Sequence, residues 1–383
     1  MKYKKIVIIP FYTFERRTNT LFGVRNLLAM GIEVEYWDIS AITKVVKIEN
    51  DNIEGIRHVS FPNKRSFRNY VKDNGNKETL YLLFLSFCNI TGFCFRILSK
   101  YNLDMAYCIN GVLPLPSYYT NKQKRMLHRI CQLLNPIAWK DKILVWMSHT
   151  GLYKPIRYQL NTCRLSTTQY KVNNLTVQVP FNSTDYVFSQ SCEDDVVGQD
   201  YIVFIDQNLP NHPDGKIVGY NAIDPQKYYA QLNLFFDNIE RYYNCKVVIA
   251  AHPTAKAYND YNPFNGRTFM FGRTQPLVKY SIGVISHFST AFSFAVLYHK
   301  PILILTSNDI IEKMNIPHQY CCVFSETLGC PIINIDELSD IVSFVPINIR
   351  LYEEYKYNYI TNIESENKDN AEILYNIMQG NIK

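Results

Sequence analysis

Short, nearly continuous apolar runs alternate along this chain with segments of helical spacing, the pattern of parallel strands buried on both faces and joined by helices. "KKIVIIPF" predicts a first strand, residues 18–30 a helix ending at Gly31, and the alternation of "IEVEYWDIS" a second strand. "MAYCING" (105–111), "KILVWMSH" (142–149) and "TDYVFSQS" (184–191) read as further strands. After the acidic turn "CEDDVVGQD" (192–200) a second series begins. It predicts a strand "YIVFID", a loop over 207–224, a helix from Pro225 to about Tyr243, strands "KVVIAA" and "TFMFG", and a short helix at 274–280. A strand "IGVIS", a helix at 289–299 and a strand "PILIL" follow. The rhythm is that of doubly wound α/β domains. The expected layout is a first domain over 1–192, a second over 193–345, and a helical, charged segment 346–383 packing back toward the first.

Two stretches carry a different pattern. "LYLLFLSFCNITGFCFRIL" (80–98) is long enough to span a bilayer, but Asn89, Thr91, Gly92 and Arg96 interrupt it, so it predicts a buried helix or helix pair. Lys122, Lys124, Arg125, His128 and Arg129 cluster around Met126, Leu127 and Ile130, a pattern shared by solvated helix faces and by helices lying on anionic lipid. The basic start closes quickly at Pro10, which reads as a strand and not as a secretory signal.

A 383-residue chain with 47% hydrophobic and 19% charged residues is globular and long enough for two domains. Its ten cysteines show no C-x-x-C spacing and lie mostly in apolar text, as expected for reduced thiols in a cytoplasmic protein. The net charge of +6 conceals an asymmetry. Residues 1–190 hold 26 Lys+Arg against 12 Asp+Glu, a balance of +14, and residues 191–383 hold 14 against 22, a balance of −8. A basic first half suits an anionic partner: a membrane surface, a lipid-linked glycan or nucleic acid. With 29 Tyr and 22 Phe, a nucleic-acid-binding protein is the non-enzyme alternative. The aromatics sit in runs expected to be core and no binding module is present, so no nucleic-acid partner is expected.

Candidate chemistry concentrates at two strand ends. "KVVIAA" stops at His252-Pro253, where Pro253 biases His252 toward an extended backbone at the crevice of a parallel sheet. There an imidazole can donate a hydrogen bond or a proton to a leaving phosphate. "GVISHF" runs into Ser289-Thr290, read as N-cap and N1 of a helix, positions that cap amides or receive an anion. His287 is a further candidate contact for the same ligand, and Ser293 reads as packing. A second His-Pro pair, His212-Pro213, lies in a loop beyond its strand. Asp206, ending a strand, and Asp214, next to Gly215, are the candidate general bases; capping or ion pairing inside the fold is the role favoured for Asp206, and a surface turn the alternative for Asp214. There is no G-x-G-x-x-G after the first strand, no D-x-D, no H-E-x-x-H, no P-loop and no G-x-S-x-G. No metal and no cofactor are therefore expected.

The His-Pro pair followed by Ser289-Thr290 resembles the motifs of the bacterial sialyltransferase-like glycosyltransferases, which have the GT-B fold of two Rossmann-like domains facing a central cleft. The resemblance covers roughly residues 200–310. It implies that His252, Pro253, Ser289 and Thr290 bind the CMP part of a CMP-activated nonulosonic acid, with His252 as or beside the general acid. It further implies inverting transfer to a glycan of a capsule, lipooligosaccharide or O-antigen at the inner face of a cell membrane. The group's acidic motif is incomplete: Asp214-Gly215 keeps only its second half, and "INGV" at 109–112 carries Asn110-Gly111 with no acid. A similar signature occurs in polymerases that use CDP-glycerol, and a UDP-sugar enzyme on the same fold is the remaining enzymatic alternative.

Overall fold

The structure is a computed structural model and describes residues 1–11, 15–44, 53–115, 136–151, 153–166, 175–191, 194–212, 223–337 and 343–382. The chain forms two compact units. The first takes in Met1–Val112, Met126–Phe188 and Tyr357–Lys383, and the second is built mainly of Ser189–Lys356.

The first unit is a seven-stranded parallel sheet in the order β3-β2-β1-β4-β5-β6-β7. Its strands are β1 (Lys5–Pro10), β2 (Glu33–Asp38), β3 (Arg57–Ser60), β4 (Thr79–Phe84), β5 (Asp104–Ile109), β6 (Tyr158–Asn161) and β7 (Val177–Pro180). Alternate residues of a strand serve opposite faces. Ile6 and Ile8 of β1, with Leu80 and Leu82 of β4, enter one core, while Val7, Ile9, Tyr81 and Leu83 enter the other. Both faces are covered, which is why the central strands read as unbroken apolar text.

The second unit is a six-stranded parallel sheet in the order β10-β9-β8-β11-β12-β13. It comprises β8 (Tyr201–Ile205), β9 (Lys246–Ala251), β10 (Phe269–Phe271), β11 (Gly283–Ser286), β12 (Ile302–Thr306) and β13 (Ile332–Asn334). The helix Pro225–Tyr243 begins where predicted: Asp224 accepts from the Gln226 amide (2.9 Å), Pro225 opens the first turn and Asn244 closes the helix at φ 51°. Tyr228, Leu232, Phe235, Phe236 and Ile239 form its buried stripe.

In both units the strand order reverses beside the first strand, between β1 and β4 and between β8 and β11. Crevices for ligands open at the carboxyl ends of strands at such points. The doubly wound expectation holds for both halves.

Several local expectations do not hold. Residues 142–149 belong to a helix, Pro136–His149, whose apolar residues lie on two faces and so mimic a strand's run. Residues 184–189 are also helical: Ser183 Oγ accepts from the Tyr186 amide (3.3 Å), a cap hidden in polar text. The 80–98 run is the central strand β4 followed by the helix Gly92–Lys100, on which Arg96 is exposed. No helix among the described residues is long and apolar enough to cross a membrane. The predicted 18–30 helix is two, Arg16–Phe22 and Val24–Ala29, broken at Gly23.

The C-terminal stretch divides at Tyr357, not at 346. The helix Asn370–Gln379 buries Ala371, Leu374, Ile377 and Met378 with Leu21, Phe22, Val24 and Leu27 in a core of the first unit. Asn370 Nδ2 donates to the carbonyls of Leu21 (2.8 Å) and Asn182 (3.0 Å). The boundary between units on the other side falls at Phe188/Ser189.

Candidate functional site

His252 follows β9 directly, and its ring is half-buried. Nδ1 lies 2.7 Å from Thr254 Oγ1 and accepts from the Thr254 amide (3.3 Å). With Nδ1 accepting, the neutral ring carries its proton on Nε2, as a donor requires. The His212 ring stands 5.3 Å from it, centroid to centroid, so the structure brings both His-Pro histidines together. Pro213 and Asp214 lie outside the described residues, as do Lys122, Lys124, Arg125, His128 and Arg129.

Ser289 and Thr290 lie just beyond β11 but do not occupy the first positions of a helix. They form a turn before the six-residue helix Phe292–Leu297, in which Ser289 Oγ accepts from the Ala291 amide (3.1 Å) and Ser293 Oγ donates to the Thr290 carbonyl (2.8 Å). So short a helix removes the dipole from the expectation and leaves the hydroxyls and turn amides. Thr290 is exposed and Ser289 half-buried. β8 lies between β9 and β11, so the two strand ends stand about 10 Å apart, two strand spacings, across the reversal point.

Asp206 is tied into the fold, the role that the sequence also offered for it. Its carboxylate is 3% exposed and accepts from the amides of Asn208 (2.9 Å) and His252 (3.3 Å) and from Tyr258 Oη (3.1 Å). Burial holds its pKa above the usual range, against the pull of those donors. These bonds place Asp206 as the pin that fixes the His252 backbone, and not as a group turned to an acceptor.

His287 is corrected. It is fully buried; Nδ1 donates to the Leu305 carbonyl (2.9 Å) and Nε2 accepts from Tyr228 Oη (2.8 Å). Burial lowers its pKa to about 4, so it is neutral and structural. Gln207, which the sequence did not single out, accepts from the Phe288 amide (3.2 Å) and ties the end of β8 to the turn after β11.

The first unit has its own crevice at its reversal point, a cavity of about 730 Å³ at the ends of β1, β4 and β5. Phe11, Phe84 and Tyr107 give it apolar walls, and Glu15, Ser86 and Asn110 give it polar groups. Burial raises the Glu15 pKa, opposed by Arg17. Arg17, Asp141 and Thr184 line the cavity as well, so its walls are mixed polar and apolar. Sequence reading missed Glu15 because its lining comes from three strand ends far apart in the chain.

Two doubly wound units in one chain define the class: an α/β protein of two Rossmann-like parallel-sheet units. No protein-family model matches the sequence, and no curated protein matches it significantly. Among solved structures, the chain is similar to the glycotransferase of kitacinnamycin (11% identity, TM-score 0.47, covering 99% of this chain and 95% of that one). It is also similar to UDP-GlcNAc 2-epimerase from Methanocaldococcus jannaschii in complex with UDP-GlcNAc and UDP (11%, TM-score 0.49, 98% and 100%). A third is Os79 from O. sativa in complex with UDP (9%, TM-score 0.49, 98% and 94%). Likenesses this distant carry nothing about the donor or the reaction of this chain.

Proposed function

We propose that this protein is a nucleotide-sugar-dependent glycosyltransferase of surface-polysaccharide synthesis that works on the cytoplasmic side of a membrane. The observation that carries this reading is the placement of His252 and Ser289-Thr290 at the ends of β9 and β11, on either side of β8 at the reversal point. The second unit takes the donor nucleotide there, and the crevice of the first unit takes the glycan acceptor.

In the reaction, the acceptor hydroxyl loses its proton to a carboxylate, for which Asp214 is the sequence's remaining candidate. Its oxygen bonds to the anomeric carbon as the bond from that carbon to the phosphate oxygen breaks, and the configuration inverts. His252 Nε2 donates to the departing phosphate, with Thr254 holding the other nitrogen. The reading needs no metal and no cofactor. The resemblance of the two motifs supports a CMP-activated, sialic-acid-like donor; a UDP-sugar and CDP-glycerol are the competing donors.

Turnover of candidate donors tests the proposal. His252→Ala should lower kcat/KM by roughly two to four orders of magnitude, the range for losing a positioned general acid, with the melting temperature preserved. A folded His252→Ala variant with full activity would remove the imidazole from the mechanism.

A further inference from the structure

The sheet of the second unit reverses its order at β8, which has β9 on one side and β11 on the other. The exit of β8 is tied to both neighbours. Toward β9, the Asp206 amide donates to the Ala250 carbonyl (3.1 Å) and the Asp206 carboxylate accepts from the His252 amide (3.3 Å). Toward β11, Ser286 Oγ donates to the Ile205 carbonyl (2.8 Å) and Gln207 Oε1 accepts from the Phe288 amide (3.2 Å). Two consecutive residues, Asp206 and Gln207, thus hold the chain at His252 and at the turn of Ser289 and Thr290.

The Gln207 side chain uses only half of its hydrogen-bonding capacity in these ties. A backbone N–H can only donate, so the Phe288 amide settles which end of the carboxamide is the oxygen and turns Nε2, with its two N–H donors, the other way. Among the described residues Nε2 has no hydrogen-bond partner, and the side chain is half-buried. An amide held by its own oxygen is oriented before a ligand arrives, which lowers the cost of binding one. Its place completes the argument. The ends of β9 and β11 stand about 10 Å apart, wider than one phosphate group, so His252 and Ser289-Thr290 share an anion only across the end of β8. Gln207 occupies that middle position. The neighbouring Asp206 carboxylate is spent on Asn208, His252 and Tyr258.

We propose that Gln207 is a third phosphate contact of the second unit: Oε1 holds the turn of Ser289 and Thr290 while Nε2 donates to a phosphate oxygen of the nucleotide, between His252 and the two hydroxyls. The proposal rests on the reading of these strand ends as a nucleotide site. Hydrogen bonds to an ionised acceptor are the strong ones, and a carboxamide supplies them with no charge of its own to desolvate.

Gln207→Glu separates the two roles of the side chain. A carboxylate still accepts from the Phe288 amide, so the turn is kept, but it has no N–H and sets a negative charge beside the phosphate. The test is titration calorimetry of the wild type, Gln207→Glu and Gln207→Met with CMP, CDP, UDP, GDP and AMP in turn, with the melting temperature of each protein recorded without nucleotide. The expected result is a wild type that binds at least one nucleotide and a Gln207→Glu variant of unchanged melting temperature that binds it roughly tenfold or more weakly. Gln207→Met should lose affinity as well, but less than Gln207→Glu, because it brings no repulsion. A role in the turn alone predicts the opposite order, with Gln207→Glu like the wild type and Gln207→Met impaired, and that order would overturn the proposal. Should Gln207→Glu not fold, Gln207→Met decides: full affinity overturns the proposal, and a tenfold loss at an unchanged melting temperature supports it. A wild type that binds none of the five nucleotides would overturn the nucleotide site itself and the proposal with it.

Discussion

His252 and His287 follow β9 and β11 of the same sheet, with β8 between them, and have opposite fates, decided by what each ring touches. His252 is half-buried, with Nδ1 held by Thr254 and its amide pinned to Asp206. His287 is enclosed and spends both nitrogens on Leu305 and Tyr228. The sequence marks both as strand-end histidines. It does not reveal the enclosure, because Tyr228 and Leu305 come from a helix and a strand remote in the chain. Asp206 is similar: its partners Asn208, His252 and Tyr258 belong to three segments. The His287 environment gives a pH dependence. Its folded pKa of about 4 lies below the unfolded value of roughly 6.5, so its share of stability is present above that value and is lost as pH falls toward 4. Replacing it by glutamine, which does not titrate, should flatten the fall in melting temperature between pH 7 and pH 5. An unchanged slope in His287→Gln would assign the acid sensitivity elsewhere.

At the scale of elements, legibility follows burial. β4, β8, β9, β11 and β12 are covered on both faces and appear as apolar runs, and the helix Pro225–Tyr243 announces itself through Asp224, Pro225 and its buried stripe. β3, β6 and β7 are four-residue strands with polar letters, "RHVS", "YQLN" and "VQVP", so little in the text separates them from loops. Pairing in the sheet creates them. The helix Pro136–His149 shows the converse error: apolar residues on more than one face erased its helical period. Gly23 marks a tight junction: its φ is +57° and a Cβ added there would lie 2.7 Å from Ala371 Cβ. Gly23→Ala should therefore destabilise the protein by about 1–3 kcal/mol through strain and overpacking against the helix Asn370–Gln379. Urea unfolding measures this; a neutral or stabilising change would mean that the junction relaxes freely.

For the whole molecule, the chain leaves the first unit near Phe188, builds the second, and returns at Tyr357 to complete the first. The return is made by backbone as well as by side chains: the amides of Lys2 and Tyr3 donate to the Met378 carbonyl (2.8 and 3.0 Å). The helical, charged character of the last residues was readable in the sequence, but the changeover point was not, because it depends on which core buries Ala371 and Leu374. Each sheet reverses its strand order once, and the cavity of the first unit lies at that point. The placement of His252 and Ser289-Thr290 beyond strands was legible because they follow apolar runs. The crevice of the first unit was not, because its polar groups carry no motif.

The central claim is that the strand ends of the second unit bind a nucleotide through His252. The most direct measurement is the melting temperature with CMP, CDP, UDP, GDP and AMP, each at millimolar concentration, for the wild type and His252→Ala. A ligand at ~100 times its Kd stabilises the native state by roughly 2.7 kcal/mol, enough for a shift of a few degrees. A shift selective for CMP in the wild type and lost in His252→Ala is the predicted result. Selectivity for UDP would keep the site and replace the donor; the absence of any nucleotide shift, or a shift equal in His252→Ala, would contradict the account.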